Sequence, residues 1–322
     1  MTFKTILTAH IFVFYSAFSW GFEAHREINH QAVFALPKPL FGFYKLHISI
    51  ITQKATNPDM RRYILENEAH KHYIDLDYYT DHKFIQSKPT WAEALNKYPE
   101  DTLNEHGTLP WNLFVLKKSL TKAFEEKNFE KIVRLSADIG HYLADAHVPL
   151  HTTQNYNGQL TNQHGIHGLW ETRIVHLKRK NYNYWNIYGN YVKNWQDETW
   201  KIVLHSNSLV DSVLKMERAT SQHFTESKKY EISVYNNKNI KTYSKAFVDA
   251  YDLSMHAMVE RQLKKSIIAV ASFWYSCWVD AGKPSLPIAK EKEINQLIEE
   301  DKKLKNEIKN KKLKNDNCKE HE

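Results

Sequence analysis

Histidine and carboxylate side chains recur through the first half of this 322-residue chain at spacings that suit a metal ion. The densest stretch is GHYLADAHVPLH, residues 140–151, followed by HGLWE, residues 167–171. His141 and Asp145 are four residues apart, and so are His167 and Glu171. On a helix that interval puts both side chains on one face. His151 follows Asp145 by six residues, just past Pro149, where a helix should end. Mixed imidazole and carboxylate donors suit zinc. Taken singly, each residue also has an ordinary role: His141 as a satisfied core histidine, Asp145 as a helix-end carboxylate, His151 as a loop residue.

Such side chains need a scaffold to converge. The chain is 42% apolar, enough for a substantial core, and its nine Gly and nine Pro cluster between long helical patterns. An all-α fold follows. Helices are expected over 22–36, ended by Pro37 and Pro39, and over 40–54, 110–126, 194–222 and 243–280. The clearest is 128–147, where Ile132, Val133, Leu135, Ile139, Leu143 and Ala146 make a broad apolar stripe with His141 and Asp145 near its end. Residues 80–108 read as irregular with one short helix, and 180–193 as an ordered loop. The apolar run Ile267 to Val279 is too short to span a bilayer and reads as a core helix. A globular region over 20–285 is followed by a charged tail, 286–322, read as a solvated helix.

The net charge of +7 favours anionic partners, among them phosphate esters, nucleic acid and anionic membranes, or makes only a basic surface. The charge is spread out, with no Arg-rich arm or basic helix stripe, which argues against sequence-specific duplex DNA binding. Of the two cysteines, Cys277 lies in an apolar run and Cys318 in the polar tail. A free buried Cys277 is the ordinary reading, and a disulfide the alternative.

Residues 1–19 read as a secretory signal peptide: Lys4 supplies the positive region, Ile6 to Phe18 the apolar one, and Ala17 and Ser19 the small positions. Cleavage would place the mature chain outside the cytoplasm, secreted or periplasmic, beginning at Trp20. It would also free an α-amino group. A terminal amine and its own carbonyl oxygen chelate one metal in a five-membered ring, and His25 is near enough in sequence to join them.

In order, these residues are Trp20, His25, Asp59, His72 heading HYID, His141, Asp145, His151, His167 and Glu171. With that series the chain resembles the superfamily of zinc-dependent phospholipase C and S1/P1-type nucleases, specifically from Trp20 to about Glu171 and more loosely to about residue 285. The resemblance implies a helical fold with a trinuclear zinc cleft. Asp59, His72, His141 and Asp145 would hold one ion, and His151, His167 and Glu171 a second. The Trp20 amine and carbonyl, His25 and a bridging Asp145 would hold the third. It also implies hydrolysis of a phosphoester by metal-activated water, with Asp59 as ligand and orienting base. Arg62 matches a family arginine at the scissile phosphate, or is a surface residue beside Arg61. His70 competes with His72, which is preferred because it heads HYID. His147 and His164 fall off the ligand spacing.

The substrate divides the family. Tyr73, placed to stack a base, and Asp75, placed to accept its hydrogen bonds, look like the nucleases. Glu171 as the last ligand looks like the phospholipases. Three readings stand: a phospholipase C-like zinc hydrolase acting on a phospholipid head group, a single-strand nuclease or 3′-nucleotidase, and a non-catalytic secreted zinc-binding protein.

Overall fold

The computed structural model describes residues 21–235 and 238–319, so the expected signal segment and Trp20 lie outside the described residues. The chain opens with α1 (Phe22–Phe34), α2 (Lys38–Leu46), α3 (Ile48–Lys54) and α4 (Asn57–Arg61). Short helical turns fill 69–105, including three helices between His82 and Glu105 where one was expected. Then come α5 (Leu109–Glu125), α6 (Phe129–Ala146), the turns around His151 and Glu171, α7 (Trp195–Ser208) and α8 (Val210–Ser221). A two-stranded antiparallel hairpin follows, β1 (Tyr230–Tyr235) against β2 (Lys238–Tyr243), with Tyr230 opposite Tyr243. The chain continues through α9 (Lys245–Ser254), α10 (Met258–Asp280) and α11 (Glu291–Lys319). Among the described residues this hairpin holds the only strands, and the remaining elements are helical.

Three expected helices are each broken in two. The 40–54 segment bends at His47, and Pro39 sits in the first turn of α2, where a missing N–H costs nothing, instead of ending a helix. The 194–222 segment breaks at Leu209. The 243–280 segment breaks at His256 and Ala257, which take φ of 52° and 55°. Non-glycine residues rarely adopt that region, so no sequence signal marks the break.

α6 runs through the middle of the molecule, with α1, α3, α5 and α10 packed around it. The Asn128 side chain caps its start by accepting from the Lys131 N–H at 3.0 Å. From Ser136 to Ala146 every residue is buried. A helix buried on all sides must give each polar side chain an interior partner, and this brings His141 and Asp145 into a site. The carbonyls at its C-terminal end have no partner within the helix. Ser206 of α7 donates to Ala146 O and Gln262 of α10 to His147 O, both at 2.7 Å. The end that carries the metal-ligand candidates is therefore fixed from two sides.

Asn29 ties α1 to this core by donating to Ile51 O and Ala137 O. Its approach depends on Gly140, where an added Cβ would lie 1.7 Å from Asn29 Oδ1. Gly140→Ala is expected to cost about 1–3 kcal/mol through overpacking, read as a lower urea midpoint with the helical circular dichroism retained.

No described helix is long and apolar enough to cross a membrane. Ile267, Val270, Phe273 and Trp274 of α10 are instead wholly buried. Cys277 is a free, buried thiol, its pKa pushed up to about 12 by burial; the Cys318 side chain lies outside the described residues. The tail forms the mostly exposed helix its polarity suggests, but one side of it meets the core. α11 packs along α3, α4 and α6, and Leu297 is wholly buried.

Candidate metal centre

Each candidate ligand comes from a different local structure. His25 is on α1, Asp59 in the first turn of α4, and His72 at the end of a 3-10 turn, Ala69–His72. His141 and Asp145 are one turn apart on α6. His151 lies in a second 3-10 turn, Pro149–Thr152, begun by Pro149 as α6 ends. His167 is in a single α-turn, Ile166–Gly168, and Glu171 in a π-turn, Leu169–Arg173. The regular helix expected for this last pair is thus widened, a distortion frequent at functional sites. All eight described candidates are at most 5% exposed.

Their donor atoms converge on Asp145. Its Oδ2 is 2.9 Å from His72 Nδ1 and 3.2 Å from His141 Nε2. Its Oδ1 is 3.6 Å from His25 Nε2 and 3.7 Å from His151 Nδ1. Asp59 Oδ1 faces the same two rings, 3.6 Å from His141 Nε2 and 3.9 Å from His72 Nδ1, and Oδ2 is 4.0 Å from His25 Nε2. The His25 and His141 rings stack with centroids 3.7 Å apart. Glu171 gathers the rest, with His167 Nε2 at 3.0 Å and His151 Nε2 at 3.5 Å. Three sets therefore have their ligand atoms within 4.8 Å of one another: His25, His141 and Asp145; Asp59, His72 and His141; and His151, His167 and Glu171.

Hydrogen bonding behind the rings decides which nitrogen faces inward. His141 Nδ1 lies 2.8 Å from Ala55 O, His151 Nδ1 2.7 Å from His72 O, and His167 Nδ1 3.1 Å from Tyr156 O. A carbonyl only accepts, so each Nδ1 carries the hydrogen and each Nε2 presents a bare lone pair. Metal-binding histidines are held in this way. His151 Nε2 has no hydrogen-bond partner among the described residues. Buried lone pairs aimed at one another and at carboxylates fit a cation between them.

The electrostatics agree at His25, His72, His141 and Glu171. Burial, reinforced by neighbouring imidazoles, pushes His25 and His72 well below the usual histidine range. Burial also lowers His141, although Asp59 opposes it. Burial works against charge on His167 and Glu171, yet their attraction prevails, raising the histidine and lowering the carboxyl. Neutral imidazoles at His25, His72 and His141 and an ionised Glu171 are protonation states a metal requires, whereas His167, held up by Glu171, would give up its proton to a metal that binds there.

The other sequence-derived candidates lie around this centre. Arg62 is half-buried, with Nη1 3.7 Å from Asp59 Oδ1. The Tyr73 hydroxyl donates to Glu105 O at 2.9 Å. Asp75 pairs with His106 at 3.3 Å, its carboxyl pushed up to about 6 by burial, with His106 opposing and Asp77 adding to the rise. His70 turns away to Thr108 Oγ1 at 2.7 Å. His147 Nδ1 donates to Leu143 O at 2.7 Å. Gly21 approaches Thr172 so closely that a Cβ would lie 2.8 Å from its hydroxyl, which puts the start of α1 against the turn that carries Glu171.

A network behind the ligands has no counterpart in the sequence reading. The Arg61 guanidinium forks onto Asp138 at 3.2 and 3.0 Å and reaches Glu68 Oε1 at 3.0 Å. The Tyr142 hydroxyl also donates to Glu68 Oε1, at 2.6 Å, and its ring meets His72 edge-on. These contacts lock α4, the His72 turn and α6 together. The one available signal was Asp138, a charged residue on the buried stretch of α6 one turn before His141.

No protein-family model matches the chain, and no curated protein sequence does. Solved structures similar to it include alpha-toxin from an avian strain of Clostridium perfringens, with a TM-score of 0.48 and 14% identity. Alpha toxin from Clostridium absonum has a TM-score of 0.46 and 13% identity. Both alignments cover 79% of this chain, which spans 63% of the length of each toxin.

Proposed function

We propose that the chain is a zinc-dependent phosphoester hydrolase of the phospholipase C type. The observation that carries this reading is the convergence of eight buried nitrogen and oxygen donors, three of the imidazoles turned inward by backbone carbonyls. Asp59, His72, His141 and Asp145 would hold one ion and His151, His167 and Glu171 another. A third would lie against His25 and Asp145, completed by the amine and carbonyl of Trp20 once a signal peptide is removed and the protein exported. His25 Nε2, 3.6 Å from Asp145 Oδ1, supports that arrangement. When bound, zinc makes water a nucleophile near neutral pH and offsets charge on phosphoryl oxygens.

The chain's own residues supply the rest. Arg62, half-buried beside Asp59, would grip a non-bridging phosphate oxygen with its planar fork of donors. That grip fixes phosphorus in line with the attacking oxygen, and Asp59 takes the departing proton. The lipid reading is preferred to the nucleic-acid one because Asp75, the group suited to accept a base's hydrogen bonds, already pairs with His106.

The test uses the chain from Trp20 onward, with zinc counted by elemental analysis. Turnover is then compared on phosphatidylcholine vesicles, single-stranded DNA and a 3′-nucleotide, with and without chelator. Chelator-sensitive release of the phosphorylated head group is expected. Turnover of DNA or nucleotide alone would move the reading to the nuclease branch. Bound zinc without turnover on any of the three would leave a zinc-binding protein.

A further inference from the structure

The segment 54–59 does two things for the centre: Ala55 O orients His141, and Asp59 is a ligand candidate. The same segment is gripped from behind by the tail. Lys54, 2% exposed, donates from Nζ to Leu297 O at 2.8 Å and to Asp301 Oδ1 at 2.6 Å. Asn57 Nδ2 donates to that same Asp301 oxygen at 2.8 Å. Glu300 pairs with Arg134 of α6 at 2.6 Å, and Leu297 is wholly buried between these contacts. A buried ammonium needs a partner, and both hydrogen bonds of this one come from α11. The grips at 54 and 57 bracket the Ala55 carbonyl and end two residues before Asp59.

We propose that Asp301 is a positioning residue for the metal centre, and that α11 acts as a clamp holding the Ala55 carbonyl and the Asp59 carboxylate in register with α6. The proposal rests on the metal reading above for its consequence. Its mechanical part, the immobilisation of 54–59, does not. Of the three donor sets, the clamp bears on those containing Asp59 or His141, whereas His151, His167 and Glu171 come from segments that α11 does not grip.

The test compares wild type, Asp301→Ala, Asp301→Glu and an exposed control on the same helix, Glu299→Ala. Two readouts are taken: amide hydrogen exchange with and without zinc, and zinc affinity by chelator competition. Glu171→Gln removes the other pocket and so identifies which affinity belongs to Asp59. Asp301→Ala is expected to speed exchange in 54–62 in both metal states. It should also weaken the Asp59-dependent site by about 10-fold and leave the Glu171 site and exchange in 166–171 unchanged. Asp301→Glu should restore part of both, and Glu299→Ala should match wild type. Equal weakening of the two sites would mark a general loss of stability and overturn the proposal, as would unchanged exchange in 54–62. If the wild type takes up no zinc, the metal reading fails, and exchange alone decides whether the clamp exists.

Discussion

Asp145→Asn is expected to strip zinc from the protein and to lower turnover by about 10³-fold or more, a loss of ~4 kcal/mol in transition-state stabilisation. The size of the effect follows from position. One Asp145 oxygen faces His72 and His141 and the other faces His25, so a single carboxylate serves three imidazoles. Asparagine keeps the volume but removes the charge. Its NH₂ also points hydrogens at nitrogens that need a cation or a proton. The neighbouring rings, already lowered by burial and by one another, then have less reason to hold a dication. Zinc stoichiometry and kcat on a phosphoester are the measurements, with circular dichroism to confirm an intact helical fold. Full zinc content with full turnover would remove Asp145 from the centre.

The second large effect is on stability. Chelation is expected to lower the thermal midpoint by on the order of 10–20 °C. Each ion present at a thousand times its Kd adds about 4 kcal/mol to the folded state, and for a chain of this size each kcal/mol moves the midpoint by about 2 °C, so the loss of two ions amounts to about 16 °C. Without the cation, the interior holds three carboxylates and five imidazoles in close contact and away from water. Zinc should restore the midpoint, and magnesium should not, because imidazole donors suit zinc and magnesium prefers oxygen ligands. Calorimetry with chelator, then with each metal added back, reads both. An unchanged midpoint would mean that these side chains satisfy one another and take no ion.

Much of the site was legible because helical periodicity converts spacing into direction. His141 and Asp145 had to share a face of the 128–147 helix, and that helix runs from Phe129 to Ala146. Pro149 had to end it, and His151 sits in the turn that Pro149 begins. Contacts between distant segments carry no such signature. Arg61 looked like half of a surface pair with Arg62, and its forked bond to Asp138 appears only once α4 lies on α6. The polar tail suggested solvation, but Leu297 is buried because Lys54 and Asn57 offer hydrogen bonds that draw α11 down. The break in the 243–280 helix depends on left-handed backbone at His256 and Ala257, which their side chains do not favour. The hairpin at 230–243 likewise carries no glycine turn to announce it.

The carbonyls of Ala55, His72 and Tyr156 turn three histidines inward, and every residue of a chain possesses a carbonyl. At positions 55 and 156, therefore, replacing the side chain leaves the orienting oxygen in place. An alanine scan would score Tyr156 by its ring and be blind to the work of its main chain. The centre is in this sense encoded partly in the path of the backbone. A distant relative could change the exposed residue at 156 and still aim the same nitrogen of His167, whereas buried Ala55 leaves room only for a small side chain.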